Sequence, residues 1–286
     1  MRNFVGDGMK VPYKLTAAMP IEHRWAQMQA AINTGLPRIK QQPMDEEASL
    51  TIACYGPSLA DTWQDMTRPI MSMSGATKFL AERGVIPDYH VDMDPRQHKT
   101  KHIDPPVHGV HYLMASVCSP KTWEILKDEK VTIWHVDSRK GTDEWLRDHD
   151  PGELMVTAGS TIGLGAIQVG GILGYRHFEI HGMDGSLRNG ERHAGPHYGH
   201  KQGGYTWQAG GVKYDTSKIM ANAVAETLNA IRLYPIFCVF HGEGLTQALL
   251  DEEYDIDNIA RAGTPKADMV RKARFVFIGY RDQMAA

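Results

Sequence analysis

Three acidic side chains follow apolar runs that have the composition of buried strands. Asp92 and Asp94 leave one run in the pattern Asp-x-Asp-Pro-Arg, and Asp184 follows another. Carboxylates at a strand end can hold Mg²⁺, which prefers oxygen ligands and phosphate oxygens, and Arg96 can pair with a phosphate. The three aspartates are therefore candidate metal ligands, and Asp94 and Asp184 candidate catalytic residues. An Asx-type turn before Pro95 is the alternative for the first pair.

A glycine- and histidine-rich segment, residues 185–215, has little periodicity and predicts a long functional loop. Within it, His193, His197 and His200 stand at spacings of four and three, where imidazoles can bind a metal or act as a general base near pH 7. Pro196 and the glycines exclude a helical His-Glu-x-x-His zinc motif. We take His193 and His197 as candidate catalytic residues, with a solvated loop as the alternative.

Two turns of small residues each stand between a predicted strand and a predicted helix. They are Gly56-Pro57-Ser58 and Gly159-Ser160-Thr161. Free backbone N–H groups and the helix dipole would make each turn an anion site, so we expect them to bind a nucleotide's phosphates. Asp137, at another strand end, is a further candidate nucleotide-binding residue. Neither turn is a P-loop or a dinucleotide fingerprint, and a plain strand-to-helix turn is the alternative for each.

Short apolar runs alternate with helical patterns from Leu50 onward, which is typical of a parallel sheet covered by helices. Several runs are apolar at consecutive positions, as in strands buried on both faces. The pattern predicts an α/β fold with a doubly wound, mostly parallel sheet and helices on both faces. The predicted strands are residues 50–55, 70–74, 89–93, 111–116, 132–136, 178–181 and 236–240, and the predicted helices are 77–83, 120–128, 161–174 and 217–233.

Three segments divide the chain. We expect an N-terminal helical extension over residues 1–48, the sheet domain over 49–245, and a C-terminal tail over 246–286 that packs on the domain. The extension contains an apolar helical face in residues 21–32.

Composition excludes several classes of protein. The 286 residues are 42% hydrophobic and 23% charged, as in an ordinary globular protein, and a net charge of -3 argues against a nucleic-acid partner. The three cysteines lack a Cys-x-x-Cys spacing, so we expect free thiols in a reducing compartment. The start of the chain lacks the apolar core of a signal peptide, and no apolar run is long enough to span a bilayer. We therefore expect a cytoplasmic protein with no membrane partner; its oligomeric state is open, a homo-oligomer included.

Taken in order, the motifs resemble a family. Gly56-Pro57-Ser58-Leu59, the run from Gly84 to Tyr89 leading to Asp94-Pro95, Gly159-Ser160 with its glycine-rich helix, and Gly182-Met183-Asp184 are similar to the 6-hydroxymethylpterin diphosphokinase MptE-like domain. That domain also occurs in motility accessory factor proteins and is similar to sialyltransferases that open with a G-x-G-P-S-L turn. The resemblance covers about residues 50–245. Stand-alone copies also occur in phage genomes, so a phage-encoded member is one source that the resemblance allows.

The resemblance implies a Rossmann-like fold that binds a nucleotide. In the pterin enzymes the donor is ATP with Mg²⁺ and a diphosphate passes to a hydroxymethyl group, whereas the glycosyl-transferring relatives use a CMP-linked acidic sugar. Carried over by position, Gly56, Ser58, Gly159, Ser160 and Thr161 would hold phosphates, and Asp94 and Asp184 would face the crevice. One departure is Cys54, which stands where relatives often have a second glycine.

Three hypotheses follow for function. The first is a nucleotide-dependent transferase of phosphoryl or diphosphoryl groups to a hydroxyl acceptor, with Mg²⁺ on Asp94 and Asp184. The second is a glycosyltransferase with a CMP-type sugar donor and a base from residues 193–200. The third is a non-catalytic nucleotide-binding or assembly protein. The predicted phosphate turns contain no Lys or Arg, which slightly disfavours ATP, so Arg96, Arg139 or the metal would have to supply the positive charge.

Overall fold

The computed structural model describes residues 19–45, 47–136, 141–195, 205–233, 235–253 and 274–277. Its strands are β1 Ser49–Ala53, β2 Ile70–Met73, β3 Tyr89–Asp92, β4 His111–Ala115, β5 Lys130–Val136, β6 Met155–Val156, β7 His177–His181, β8 Tyr205–Ala209, β9 Val212–Thr216, β10 Pro235–His241 and β11 Arg274–Phe277. Its helices are α1 Ile21–Asn33, α2 Leu59–Thr62, α3 Ala76–Ala81, α4 Lys121–Ile125, α5 Thr142–His149, α6 Ile162–Ile172, α7 Lys218–Leu233 and α8 Leu245–Glu253. Two 3₁₀ helices cover Trp63–Asp65 and Gln97–His102.

One large sheet organises the described chain. Its strand order is β11-β10-β7-β1-β2-β3-β4-β5-β6, and all strands are parallel except β11, which is antiparallel to β10. The chain winds outward from β1 to β6 and then returns to β7 on the other side of β1. The strand order therefore reverses between β1 and β7, the place where sheets of this kind bind ligands at the carboxyl ends of their strands. This confirms the predicted doubly wound, Rossmann-like α/β fold.

Helices cover both faces of the sheet. On one face, α6 approaches closely because glycine stands where a side chain would collide: a Cβ at Gly170 would lie 2.7 Å from the ring of Phe178 and 2.9 Å from Leu50. On the other face, α2 and α3 bury a separate apolar cluster that includes Leu59 and Phe79. At the other end of α6, a Cβ at Gly163 would lie 2.8 Å from Met183 and 3.4 Å from Cys54, so the first turn of this helix lies beside the carboxyl ends of β7 and β1.

The described part of the N-terminal extension is joined to the sheet. The backbone N–H of Ile39 donates to the carbonyl of Ile133 in β5 at 2.8 Å. Arg38 donates through Nε to Asp150 at 2.9 Å. In α1, Met28 lies on the predicted apolar face and is buried, and Arg24 is buried with it.

The prediction that residues 185–215 form a loop without regular structure was wrong in part. Strands β8 and β9 form an antiparallel hairpin around Gly210 and Gly211. Trp207 and Tyr214 pack against the core from one side of the hairpin, and polar residues occupy the other side. A Gly-Gly pair between two alternating segments is a recognised hairpin signal, so this hairpin could be predicted from the sequence. No helix in the described part of the chain is long and apolar enough to cross a membrane.

Candidate functional site

The first predicted phosphate turn follows β1 at the switch point, and a carboxylate of the chain itself occupies it. Asp184, which follows β7, accepts the backbone N–H of Ser58 at 2.7 Å through Oδ2, and the Ser58 hydroxyl donates to its Oδ1. Both residues are buried. A Cβ at Gly56 would lie 2.3 Å from the Gly182 carbonyl, so this close crossing of the two loops requires glycine. Burial raises the pKa of Asp184 to about 6, although its hydrogen bonds to Ser58 oppose that shift.

The second predicted turn is arranged in the same way at the start of α6. Glu226 of α7 accepts the backbone N–H of Ser160 at 2.7 Å. The amide of Asn222 donates to Ser160 Oγ at 3.2 Å and to Glu226 Oε1 at 3.0 Å. Gly159 has a φ of 64°, a conformation that favours glycine, and Thr161 is the N-cap residue of α6.

Both turns therefore lie at the carboxyl edge, where the sequence analysis placed them, and both bind an anionic oxygen. That oxygen is an internal carboxylate in each case. The N–H groups of Ser58 and Ser160 are thus already engaged. Pro57 lies in the first turn and is buried with Ser58. Positive charge for a ligand's phosphates has to come from other residues.

The acidic pair after β3 forms a turn and an ion pair. Asp92 Oδ1 accepts the backbone N–H groups of Met93 at 2.7 Å and of Asp94 at 3.0 Å. Arg96 donates two hydrogen bonds to Asp94, from Nε to Oδ1 at 2.8 Å and from Nη2 to Oδ2 at 2.5 Å. Burial, followed by the charge of Asp94, raises the pKa of Asp92 to about 6. Burial also raises the pKa of Asp94, but the hydrogen bonds and charge of Arg96 outweigh it and leave that pKa below its ordinary value.

The three aspartates are not brought together as ligands of one ion. Strands β1 and β2 lie between the strand before Asp184 and the strand before Asp92. Three strand spacings amount to about 14 Å, whereas Mg²⁺ binds its ligands at about 2.1 Å. Within the described ranges, no three His, Cys, Asp or Glu residues lie close enough to hold a metal.

Asp92 is the acidic residue of this group that best fits a magnesium ion. Its Oδ2 has no hydrogen-bond partner among the residues that the structure describes, whereas both oxygens of Asp94 and of Asp184 are engaged. Mg²⁺ is commonly bound by one or two carboxylates together with substrate phosphates and water. The residues present therefore fit an ion that arrives with a nucleotide's phosphates.

His193 lies over the carboxyl end of β1. Its Nδ1 is 3.1 Å from the Tyr55 carbonyl, its ring stacks on the Tyr55 ring at 5.1 Å between centroids, and the N–H of Ala194 donates to the same carbonyl. Burial lowers the pKa of His193 to about 4, the Tyr55 hydrogen bond opposes this, and the charges of Arg192 and Lys99 add to it. The imidazole is thus neutral near pH 7, with its proton on Nδ1 and its lone pair on Nε2.

His193 belongs to a cluster of basic side chains, here called the basic cluster. Its members are Lys99, Lys101, His102, Arg192 and His193. Burial and the charges of both lysines and His193 lower the pKa of His102 to about 4, so these groups are close enough to interact. Lys101 belongs to the 3₁₀ helix after β3, which Lys78 of α3 fixes by donating to the Lys101 carbonyl at 2.9 Å. The cluster therefore lies at the carboxyl ends of β1 and β3.

Two cations of the basic cluster have no acidic partner in the described chain. Arg192 is half-buried, burial alone lowers its pKa, and its inaccessible Nε makes no hydrogen bond to a described residue. Lys99 is also half-buried; burial lowers its pKa, the charges of Asp94 and Asp92 oppose this, and Lys99 forms an ion pair with neither carboxylate. Asp94 itself is held by Arg96. The sequence analysis missed both residues and named Arg96 and Arg139 instead. The available signal was their place, beside the Asp-Pro-Arg motif and beside His193.

The other predicted residues fall outside the described part of the chain. Asp137, His197 and Arg139 lie in the ranges 137–140 and 196–204, which the structure does not describe.

Comparison with known proteins gives the family. A model of the family "6-hydroxymethylpterin diphosphokinase MptE-like" matches residues 27–190, more than half of the chain. The chain belongs to this family. The matched region contains both turns and the three aspartates, and it ends just before Arg192.

Among solved structures, the MAf glycosyltransferase from Magnetospirillum magneticum AMB-1 has a similar fold. The two agree with a TM-score of 0.59 at 14% sequence identity, over 79% of this chain and 38% of that one. This chain thus spans under two fifths of the length of its neighbour, and the likeness shows the fold alone. No curated protein sequence matches the chain.

Proposed function

We propose that this protein is a nucleotide-dependent transferase that passes a diphosphoryl or phosphoryl group from ATP with Mg²⁺ to a hydroxyl acceptor. The observation that carries the proposal is two half-buried cations, Arg192 and Lys99, that form no ion pair with a described acidic residue and lie beside the neutral base His193. Membership in the MptE-like family supports transfer as the reaction class.

The electrostatics of the basic cluster suit a polyphosphate. A charge removed from water without a partner is unfavourable, and an anion bound between Arg192 and Lys99 relieves this for both cations. Guanidinium and phosphate form strong, charge-assisted hydrogen bonds. The carboxylates in the two small-residue turns, Asp184 and Glu226, would repel a phosphate there, so we assign the donor's phosphates to the cluster.

His193 is suited to take the proton of the acceptor. In diphosphoryl transfer, the acceptor oxygen bonds to the β-phosphorus, the bond from that phosphorus to the oxygen bridging to the α-phosphate breaks, and AMP leaves. The hydroxyl proton passes to Nε2 of His193. A bound phosphate would raise the pKa of His193 from about 4 toward neutrality, because a nearby negative charge favours the imidazolium. General-base catalysis of this kind contributes about 10²–10⁴-fold.

Magnesium bound with the donor would neutralise charge on the transferred group. Asp92 would hold it through Oδ2. Among the four carboxylate oxygens of Asp92 and Asp94, Oδ2 of Asp92 is the one that accepts no hydrogen bond from a described residue. Asp94 would keep Arg96 in place. Because the fixed acidic ligands are few, we expect the protein alone to bind Mg²⁺ weakly and the nucleotide complex to bind it well.

A glycosyltransferase with a CMP-type sugar donor is the second candidate. The fold it shares with the MAf glycosyltransferase supports it, and His193 would serve the acceptor hydroxyl in the same way. A CMP-linked acidic sugar carries its two negative charges apart, one on a single phosphate and one on the sugar's carboxylate, whereas Arg192 and Lys99 lie together beside His193, as consecutive phosphates require. For that reason we favour the polyphosphate donor.

Thermal shift and calorimetric titration with ATP, CTP, CMP and UDP-sugars, each with Mg²⁺, test the proposal. We expect ATP to stabilise the protein most, and ³¹P NMR to show AMP as the product with a hydroxymethyl acceptor. Preference for CMP and release of a free sugar from its conjugate would favour the glycosyltransferase, and binding without turnover would favour a non-catalytic protein. Absence of any nucleotide effect would contradict both enzyme proposals.

A further inference from the structure

We propose that Ser160, Asn222 and Glu226 form a ribose subsite that binds the vicinal hydroxyls of the donor nucleotide. This inference rests on the proposed function and extends it from the phosphates to the nucleoside. The second predicted phosphate turn thus takes a different part of the ligand from the one its glycine and hydroxyl residues suggested.

The amide of Asn222 is the observation that carries the proposal. Asn222 is only 6% exposed, and its Nδ2 donates both to Ser160 Oγ and to Glu226 Oε1. The carboxylate of Glu226 can only accept, so the amide orientation is fixed and Oδ1 is the remaining atom. Asn222 Oδ1 has no hydrogen-bond partner in the described chain. It is also accessible to solvent, unlike the fully buried polar atoms that lack a partner. It is therefore an acceptor open to a ligand.

The neighbouring groups complete a site for hydroxyls. Ser160 Oγ accepts from Asn222, and its own proton has no acceptor among the described residues. Glu226 receives one hydrogen bond on each oxygen and can accept more. One hydroxyl donor, one amide oxygen and one carboxylate match a diol, in which each hydroxyl both donates and accepts. A phosphate does not match, because Glu226 is anionic.

The position of the ribose subsite agrees with a nucleotide whose phosphates lie in the basic cluster. A Cβ at Gly163, in the first turn of α6, would lie 2.8 Å from Met183 and 3.4 Å from Cys54, so this turn rests against the loops that leave β7 and β1. Lys99 follows β3, which is two strands from β1. Two strand spacings are about 10 Å, a span that one extended nucleotide can bridge.

Calorimetric titration of the full chain with two kinds of probe tests this assignment. The probes with ribose are ATP and 2′-deoxy-ATP, and the probe without ribose is inorganic tripolyphosphate. We expect wild-type protein to bind 2′-deoxy-ATP about tenfold more weakly than ATP, the effect of one lost hydrogen bond to a polar group. Asn222→Ala should bind ATP about tenfold more weakly, lose its preference for ATP over the deoxy form, and keep its affinity for tripolyphosphate. Asn33→Ala, at an exposed asparagine of α1, should behave as wild type.

Two failures can be told apart. If tripolyphosphate does not bind wild-type protein, the phosphate assignment fails and the ribose subsite falls with it. If tripolyphosphate binds but Asn222→Ala still prefers ATP over 2′-deoxy-ATP as wild type does, the ribose subsite is wrong and the proposed function stands. Should Asn222→Ala not fold, Glu226→Gln takes its place, because it keeps an acceptor for the Ser160 N–H; the same loss of preference is expected, and an unchanged preference overturns the inference.

Discussion

Replacement of Arg192 by methionine removes the guanidinium group with its positive charge and keeps an unbranched apolar stem. Arg192 is half-buried, burial lowers its pKa, and no described acidic residue pairs with it. Arg192→Met therefore breaks no ion pair in the described protein. We expect it to weaken phosphate binding and to leave the free protein at least as stable as wild type.

The size of both effects follows from the surroundings of Arg192. A hydrogen bond to a charged group contributes about 1.5–3 kcal/mol, so ATP and tripolyphosphate should bind about 10–150-fold more weakly. Removal of a partly buried, unpaired charge relieves a desolvation penalty, so the free energy of unfolding should stay within about 0.5 kcal/mol or rise by up to about 1 kcal/mol.

The assay is calorimetric titration of wild type, Arg192→Met and the control Arg147→Met. Arg147 is an exposed arginine of α5 in an i,i+4 ion pair with Asp143, so its loss should leave binding unchanged. Raising the salt concentration should weaken binding to wild type more than binding to Arg192→Met, because one fewer charge contact is screened. Wild-type affinity in Arg192→Met would refute the assignment, as would a clearly less stable variant, since the charge would then have a structural partner.

Three further predictions test other parts of the account. His193→Gln should lower the transfer rate about 10²–10⁴-fold with nucleotide affinity within about threefold of wild type; an unchanged rate measured by ³¹P NMR would remove His193 as the base. Asp92→Asn should raise the free energy of unfolding at pH 7 by about 1–3 kcal/mol in chemical denaturation. It should also make nucleotide binding less dependent on Mg²⁺. The folded pKa of about 6 exceeds the ordinary 3.8, so protonated Asp92 stabilises the fold below about pH 4 and this contribution is lost as the pH rises through 6; the gain of Asp92→Asn should vanish at low pH, and a gain independent of pH would contradict this reasoning. Gly170→Ala should destabilise by about 1–3 kcal/mol because its Cβ would lie 2.7 Å from Phe178, whereas Gly171→Ala, with nothing within 4 Å, should stabilise by about 0.5–1 kcal/mol; equal effects in chemical denaturation would show that α6 is not held this closely to the sheet.

Much of the sheet could be predicted from the sequence because its central strands are buried on both faces. In β1 and β4 the apolar residues are consecutive. Where such short runs alternate with helical patterns along the chain, a buried parallel strand is the expected structure. Strand β6, by contrast, has two residues, too few for any period. The hairpin β8–β9 was not predicted. The polar residues of its outer face made the segment look polar as a whole and hid the alternation of the two strands.

The position of the site in the fold could be predicted from the sequence, but the hydrogen bonds within it could not. Parallel topology brings the carboxyl ends of strands to one edge, so the sequence could put Ser58, Ser160, Asp94 and Asp184 there. It could not show that Asp184 lies on Ser58, because the two are 126 residues apart. Such long-range contacts decide which anion each turn binds. They are also the reason why we propose the basic cluster, rather than the turns, as the phosphate site.

Hydrogen–deuterium exchange with and without ATP and Mg²⁺ tests that central claim most directly. The claim predicts added protection in residues 97–102 and 192–195, where the basic cluster lies, and along the start of α7 at Asn222. The N–H of Ser58 already donates to Asp184 in the free protein, so residues 56–60 should change little. Protection confined to 56–60 and 159–163, with none at Lys99 or Arg192, would contradict the account and return the phosphates to the two turns.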